Sequence, residues 1–158
     1  MIVVPRAHVP IRALNGLLGL LPPAPLSPAS LVDRARRQTR LADFGPQGPN
    51  EEGLAILCHA LEEEAALTPL GRLLARQMLV QALACQLRLQ DWLSRVPSIL
   101  ESPIERPLVI VGMPRTGTTI LHELLALDPR NRCPLTWEVA HPYPPPDSAS
   151  YACDPRIA

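Results

Sequence analysis

The stretch PLVIVGMPRTGTT, residues 107–119, decides the fold. Leu108, Val109, Ile110 and Val111 form an apolar run without polar alternation, the pattern of a strand buried on both faces. Gly112 ends the run, and Gly117 follows with four residues between, the outer frame of a phosphate cradle. TTILHELLALDP then reads as a helix stopped by Pro129. Strand, glycine loop and helix, in that order, open a parallel α/β sheet. Such a turn aims backbone N–H groups and the positive helix end at an anion.

The loop departs from a nucleotide-hydrolysing P-loop at one position. Where that loop carries lysine after its second glycine, this chain has Thr118. Thr119 occupies the place of the magnesium-binding hydroxyl, but no second acidic strand follows to complete a metal site. ATP chemistry is therefore disfavoured and no metal is expected. Arg115 offers a guanidinium that can grip a tetrahedral oxyanion through two parallel bonds. Thr116, Thr118 and Thr119 add hydroxyl donors.

Upstream of this unit the chain reads as helices. PPAPLSP, 22–28, is a proline-rich linker. Ser30 is expected to cap SLVDRARRQTRLADF, with Asp33 as its partner, Leu31, Ala35 and Leu41 inward, and its arginines in water. Asn50 is expected to cap the next helix, with Leu54, Leu57, Leu61 and Ala65 at helical spacing. Thr68-Pro69 opens a long third helix whose apolar positions are Leu70, Leu73, Leu74, Met78, Leu83, Leu87 and Trp92, and Pro97 ends it. His59 and the run Glu62 to Glu64 read as a solvated helix face. Downstream, 130–158 is rich in proline and shows no further strand–helix pair.

Composition narrows the function classes. Lys+Arg and Asp+Glu balance at 15 each in 158 residues, so no basic excess argues for nucleic acid or an anionic membrane surface. Aromatics are 3% of the chain, so a core must come from leucine, alanine and valine. Cys58, Cys85, Cys133 and Cys153 are scattered without metal-site spacing and read as reduced thiols of a cytoplasmic protein. The apolar N-terminus is interrupted by Arg6 and Arg12 and followed by prolines, which argues against a signal peptide. No apolar run reaches the roughly 20 residues of a membrane span.

PLVIVGMPRTGTTILHELLALDP, followed by NRC and TWE, resembles the 5′-phosphosulfate-binding segment of sulfotransferases, which use 3′-phosphoadenosine 5′-phosphosulfate (PAPS) as donor. The arginine in PRTGTT is similar to that of the tyrosylprotein branch, and ASLVDRARRQTRLADFG and EEEAALTPLGRLLAR resemble the bacterial-type branch. The resemblance runs from about Ser30 onward and is most specific over 107–138. It implies a P-loop-like α/β core that transfers a sulfuryl group, without metal, to a hydroxyl or amine of a small-molecule acceptor. It implies that Pro114, Arg115, Thr116, Gly117, Thr118 and Thr119 hold the 5′-phosphate, with Arg115 also steadying charge on the bridging oxygen. Glu138 is the implied general base, at a longer spacing from the loop than in the tyrosylprotein branch, and His141 and His122 stay open as rivals.

The expected organisation is an N-terminal extension with linker over 1–28, a helical region over 29–104 and the start of a sulfotransferase core over 105–158. The residues that hold the 3′-phosphate in the family come from later elements. The chain is therefore expected to be the N-terminal piece of a longer product, inactive by itself. The alternatives are a P-loop kinase or NTPase relative and a non-catalytic helical interaction module. The long leucine-rich helix could pack on its own core or on a second subunit, and periodicity leaves both open.

Overall fold

Ser27 starts the first packed helix. Its side-chain oxygen accepts from the Ser30 N–H at 3.4 Å, and Pro28 follows in the first turn, where a missing N–H costs nothing. The helix cap is therefore Ser27 rather than Ser30, and the linker gives its last proline to the helix.

The computed structural model describes residues 9–22, 25–101, 103–113, 115–146, 149 and 151–157. Along the chain run α1 (Val9–Leu18), α2 (Pro28–Thr39), α3 (Glu51–Glu63), α4 (Pro69–Arg95), α5 (Thr118–Ala126) and α6 (Thr136–Ala140). Short 3₁₀ turns cover Pro97–Glu101, Tyr151–Cys153 and Pro155–Ile157. α1 lies in the segment read as an extension, and α6 in the proline-rich tail, so neither was expected. The chain divides into two compact units, Met1–Asp91 and Trp92–Ala158.

In the first unit the core is Leu31, Ala35, Phe44, Leu54, Cys58, Val80, Leu83, Ala84 and Leu87, with Leu41 packed against it. Leu31, Val80 and Leu87 are fully buried, each contributing about 1.5–3 kcal/mol of transfer free energy. Asn50 caps α3 as expected, its Oδ1 accepting from Gly53 N–H at 3.3 Å. Thr68 Oγ1 accepts from Gly71 N–H at 3.1 Å at the start of α4.

The inward faces differ from those expected. In α3, Cys58 is buried while Leu57 is exposed, and in α4 the buried set is Val80, Leu83, Ala84 and Leu87 while Leu73, Leu74 and Met78 face outward. Both helices keep the 3.6-residue period; a leucine-rich helix offers more than one apolar stripe, and the partner selects which is covered. Glu62 is no bystander on a solvated face. It pairs with Arg72 and accepts from Leu26 N–H at 3.3 Å, tying α3 to α4 and to the linker. These donors, Arg72 foremost, hold its carboxyl below the usual range.

In the second unit the expected strand at 108–111 does not form, and no strand occurs among the described residues. Leu108, Val109 and Val111 are 69%, 73% and 89% exposed. A strand exists only through the hydrogen bonds of a neighbour, and no extended segment among the described residues pairs with this one. The helix of the unit forms as expected: α5 starts after the second glycine and ends before Pro129.

Candidate active site

The loop between 112 and 118 folds back on itself. A Cβ placed on Gly112 would stand 2.7 Å from Thr118 Cγ2 and 2.9 Å from Thr116 Oγ1, so only glycine fits the approach. Thr116 Oγ1 donates to Met113 O at 2.6 Å and closes the turn. Arg115 and Gly117 take left-handed conformations, at φ of 68° and 86°. Gly117 caps α5 without a side chain, and the first intrahelical bond runs from Leu121 N–H to Gly117 O at 3.0 Å. The N–H groups of Thr118, Thr119 and Ile120 therefore precede the helix ladder and meet no backbone acceptor among the described residues.

Thr116, Gly117 and Thr119 are exposed around this turn, Thr118 is half-buried, and the Arg115 side chain is exposed without an ion pair among the described residues. An outward cation, the exposed Thr119 hydroxyl and a helix start with uncommitted donors make a cradle for a tetrahedral anion. Pro114 lies outside the described residues.

Glu138 sits in a different arrangement. It is the third residue of α6 and reaches back to accept from Leu135 N–H at 2.6 Å, the carboxylate half of a capping box. It also pairs with Arg132. Its side chain is 7% exposed, against 69% for Arg132. The Leu135 N–H, then Arg132 and Tyr151, outweigh burial and hold the Glu138 carboxyl below the usual range. The Tyr151 hydroxyl is pushed up, by burial and by the carboxylate beside it.

A second ion pair braces the same place. Arg156 grips Asp154 through Nε at 2.7 Å and Nη2 at 2.5 Å, and donates to the carbonyls of His141 at 3.0 Å and Pro144 at 2.6 Å. Its guanidinium lies 4.8 Å from the Trp137 ring centre, and Trp137 packs on Tyr151 with centroids 5.4 Å apart. Arg156 holds the Asp154 carboxyl down to about 2.

No hydrogen bond or ion pair joins Arg115 to Glu138 among the described residues. His141 is exposed, and it contributes backbone groups to the α6 end: its N–H donates to Trp137 O at 2.9 Å. His122 is half-buried and lines a cavity of about 340 Å³ with Arg106, Leu108, Leu125, Arg132 and Cys133. Tyr151, Asp154 and Arg156 escaped the sequence reading. Their signal is the tripeptide DPR, which occurs at 128–130 and again at 154–156. In both copies the Asp accepts from the Arg backbone N–H, at 3.0 Å and 2.9 Å, while pairing with the guanidinium.

Residues 107–156 match a family model described as "Sulfotransferase family". The fold is similar to sulfotransferase STF9 from Mycobacterium avium, at a TM-score of 0.72 and 33% identity over 83% of this chain and 33% of that one. It is likewise similar to sulfotransferase STF1 from Mycobacterium tuberculosis H37Rv, at a TM-score of 0.75 and 32% identity over 85% of this chain and 37% of that one. No curated protein matches the chain. These matches tie the 107–156 segment to the sulfotransferase family and the fold to that of two solved sulfotransferases. The chain spans about a third of the length of the two solved structures.

Proposed function

We propose that this chain carries the donor-binding loop of a PAPS-dependent sulfotransferase that acts on a hydroxyl or amine of a small-molecule acceptor. The observation that supports this best is the closed turn from Gly112 to Thr118, with helix-start donors behind it and a guanidinium on it that meet no partner among the described residues. A sulfuryl group carries less negative charge than a phosphoryl group. One loop cation can therefore replace the lysine and magnesium of a nucleotide hydrolase.

In this reading Pro114, Arg115, Thr116, Gly117, Thr118 and Thr119 hold the 5′-phosphate. The acceptor oxygen or nitrogen attacks sulfur, the bond from sulfur to the phosphate oxygen breaks, and that oxygen leaves with the electron pair. Arg115 offsets the charge that builds there. Glu138 takes the acceptor proton as general base. Its carboxyl, held below the usual range, is ionised at neutral pH and so has a lone pair to take that proton.

Calorimetric titration of the chain completed by the later family elements, with adenosine 3′,5′-bisphosphate and with Mg·ATP, tests the reading. Tight binding of the bisphosphate, abolished by Arg115→Ala, is expected; preference for Mg·ATP would overturn it in favour of a kinase-like nucleotide site. In PAPS turnover by that completed chain, Arg115→Ala should lose about 10²–10³-fold in kcat, the usual effect of removing one preorganised donor.

A further inference from the structure

We infer that Arg156 is a positioning residue for Glu138, its guanidinium fixing the end of α6, the short helix that carries the carboxylate. This rests on the proposed role of Glu138 and deepens it.

α6 has five residues, too few to hold a helix by its own hydrogen bonds. Its place is therefore set by what grips its two ends. At the start, Glu138 accepts from Leu135 N–H at 2.6 Å and pairs with Arg132. At the other end the last carbonyls lack helical partners, and the backbone leaves the helix at His141 with φ −135°. Arg156 Nη1 donates there, to His141 O at 3.0 Å and to Pro144 O at 2.6 Å. The face of the same guanidinium lies 4.8 Å from the ring centre of Trp137, the residue next to Glu138.

Asp154 keeps the guanidinium in that position. It accepts from Nε at 2.7 Å and from Nη2 at 2.5 Å, a two-bond fork. The side chains are 7% exposed for Asp154 and 16% for Arg156, so water competes little for the pair. One planar group thus serves a carboxylate and two carbonyls with its edge and an indole with its face, which the point charge of lysine cannot do. At 128–130 the same tripeptide lacks this setting: Arg130 bonds Asp128 and its side chain is 86% exposed.

The deciding variant is Arg156→Lys, which keeps the charge and loses the fork and the stack. In the ¹⁵N-labelled full chain, the Leu135 amide proton reports its bond to Glu138, and Glu138→Gln marks its position once the charged acceptor is gone. Arg156→Lys should move the Leu135 amide upfield, toward that position, while helical circular dichroism is retained. An unmoved Leu135 signal would overturn the inference. If Arg156→Lys does not fold, Asp154→Asn, which removes the charged half of the fork, is read by the same signal with the same two outcomes.

Turnover by the chain completed with the later family elements separates this from the functional reading. Arg156→Lys should lower kcat on the order of ten- to a hundredfold, as a misplaced catalytic group does, with KM for PAPS unchanged. In a Glu138→Gln background it should lower kcat no further. An equal loss in both backgrounds would make Arg156 a structural residue alone and overturn the inference. If Glu138→Gln itself leaves kcat intact, Glu138 is removed as the base, and the Leu135 signal by itself decides whether Arg156 positions it.

Discussion

At Gly112 one methyl group is enough to open the 112–118 loop. Its Cβ would fall within 3 Å of two threonine side chains, and Thr116 is not free to yield because its hydroxyl is engaged by Met113 O. Gly112→Ala should therefore weaken adenosine 3′,5′-bisphosphate binding by tenfold or more, on the order of 1.4 kcal/mol, while circular dichroism remains that of the parent. Unaltered affinity would show that the loop does not need this approach. The tight turn was legible in the glycine spacing because such a turn constrains few residues at short range. Tyr151 and Arg156 were not, since their roles depend on the chain folding back on α6, and residues 13 and 18 positions after Glu138 announce no such contact.

At the scale of elements, caps and prolines were readable because their chemistry is local. Asn50 and Thr68 do what their side chains suggest, and the misplaced Ser30 is corrected by Ser27 three residues earlier. Ser27→Ala should cost about 0.5–2 kcal/mol and Leu31→Ala about 2–5 kcal/mol in urea unfolding. Helix faces were less readable: α4 is apolar on several sides, and only its contacts decide that Val80 and Ala84 go inward. The 108–111 run marks the opposite limit, since an apolar extended segment states a preference that only a paired neighbour can satisfy. The clamp after α6 has a pH signature. The Asp154 carboxyl lies at about 2 in the folded chain against an ordinary 3.8, so its stabilisation is present above 3.8 and is lost as pH falls toward 2. In a Trp92→Phe background, Trp137 fluorescence should be steady down to that window and change within it. In Asp154→Asn it should already differ at neutral pH.

At the scale of the whole molecule, the second unit leaves its apolar residues outward. Val111, Ile120, Leu124 and Leu127 are exposed, and α5 buries none of its side chains. Exposed apolar surface of this kind binds hydrophobic probes. The chain should therefore enhance anilinonaphthalene sulfonate fluorescence while its helical circular dichroism is intact, and Leu124→Glu should reduce the signal. The charge is balanced, no helix among the described residues is long and apolar enough to cross a membrane, and the chain covers 33% and 37% of the two matched structures. Arginine placement carries a last consequence, for digestion by trypsin. The bond after Arg115 lies in an outward loop, whereas the bond after Arg156 follows a guanidinium occupied by a carboxylate, two carbonyls and an indole. Brief trypsin treatment should cut first after residue 115 and late after residue 156, and a bound nucleotide should slow only the first cut.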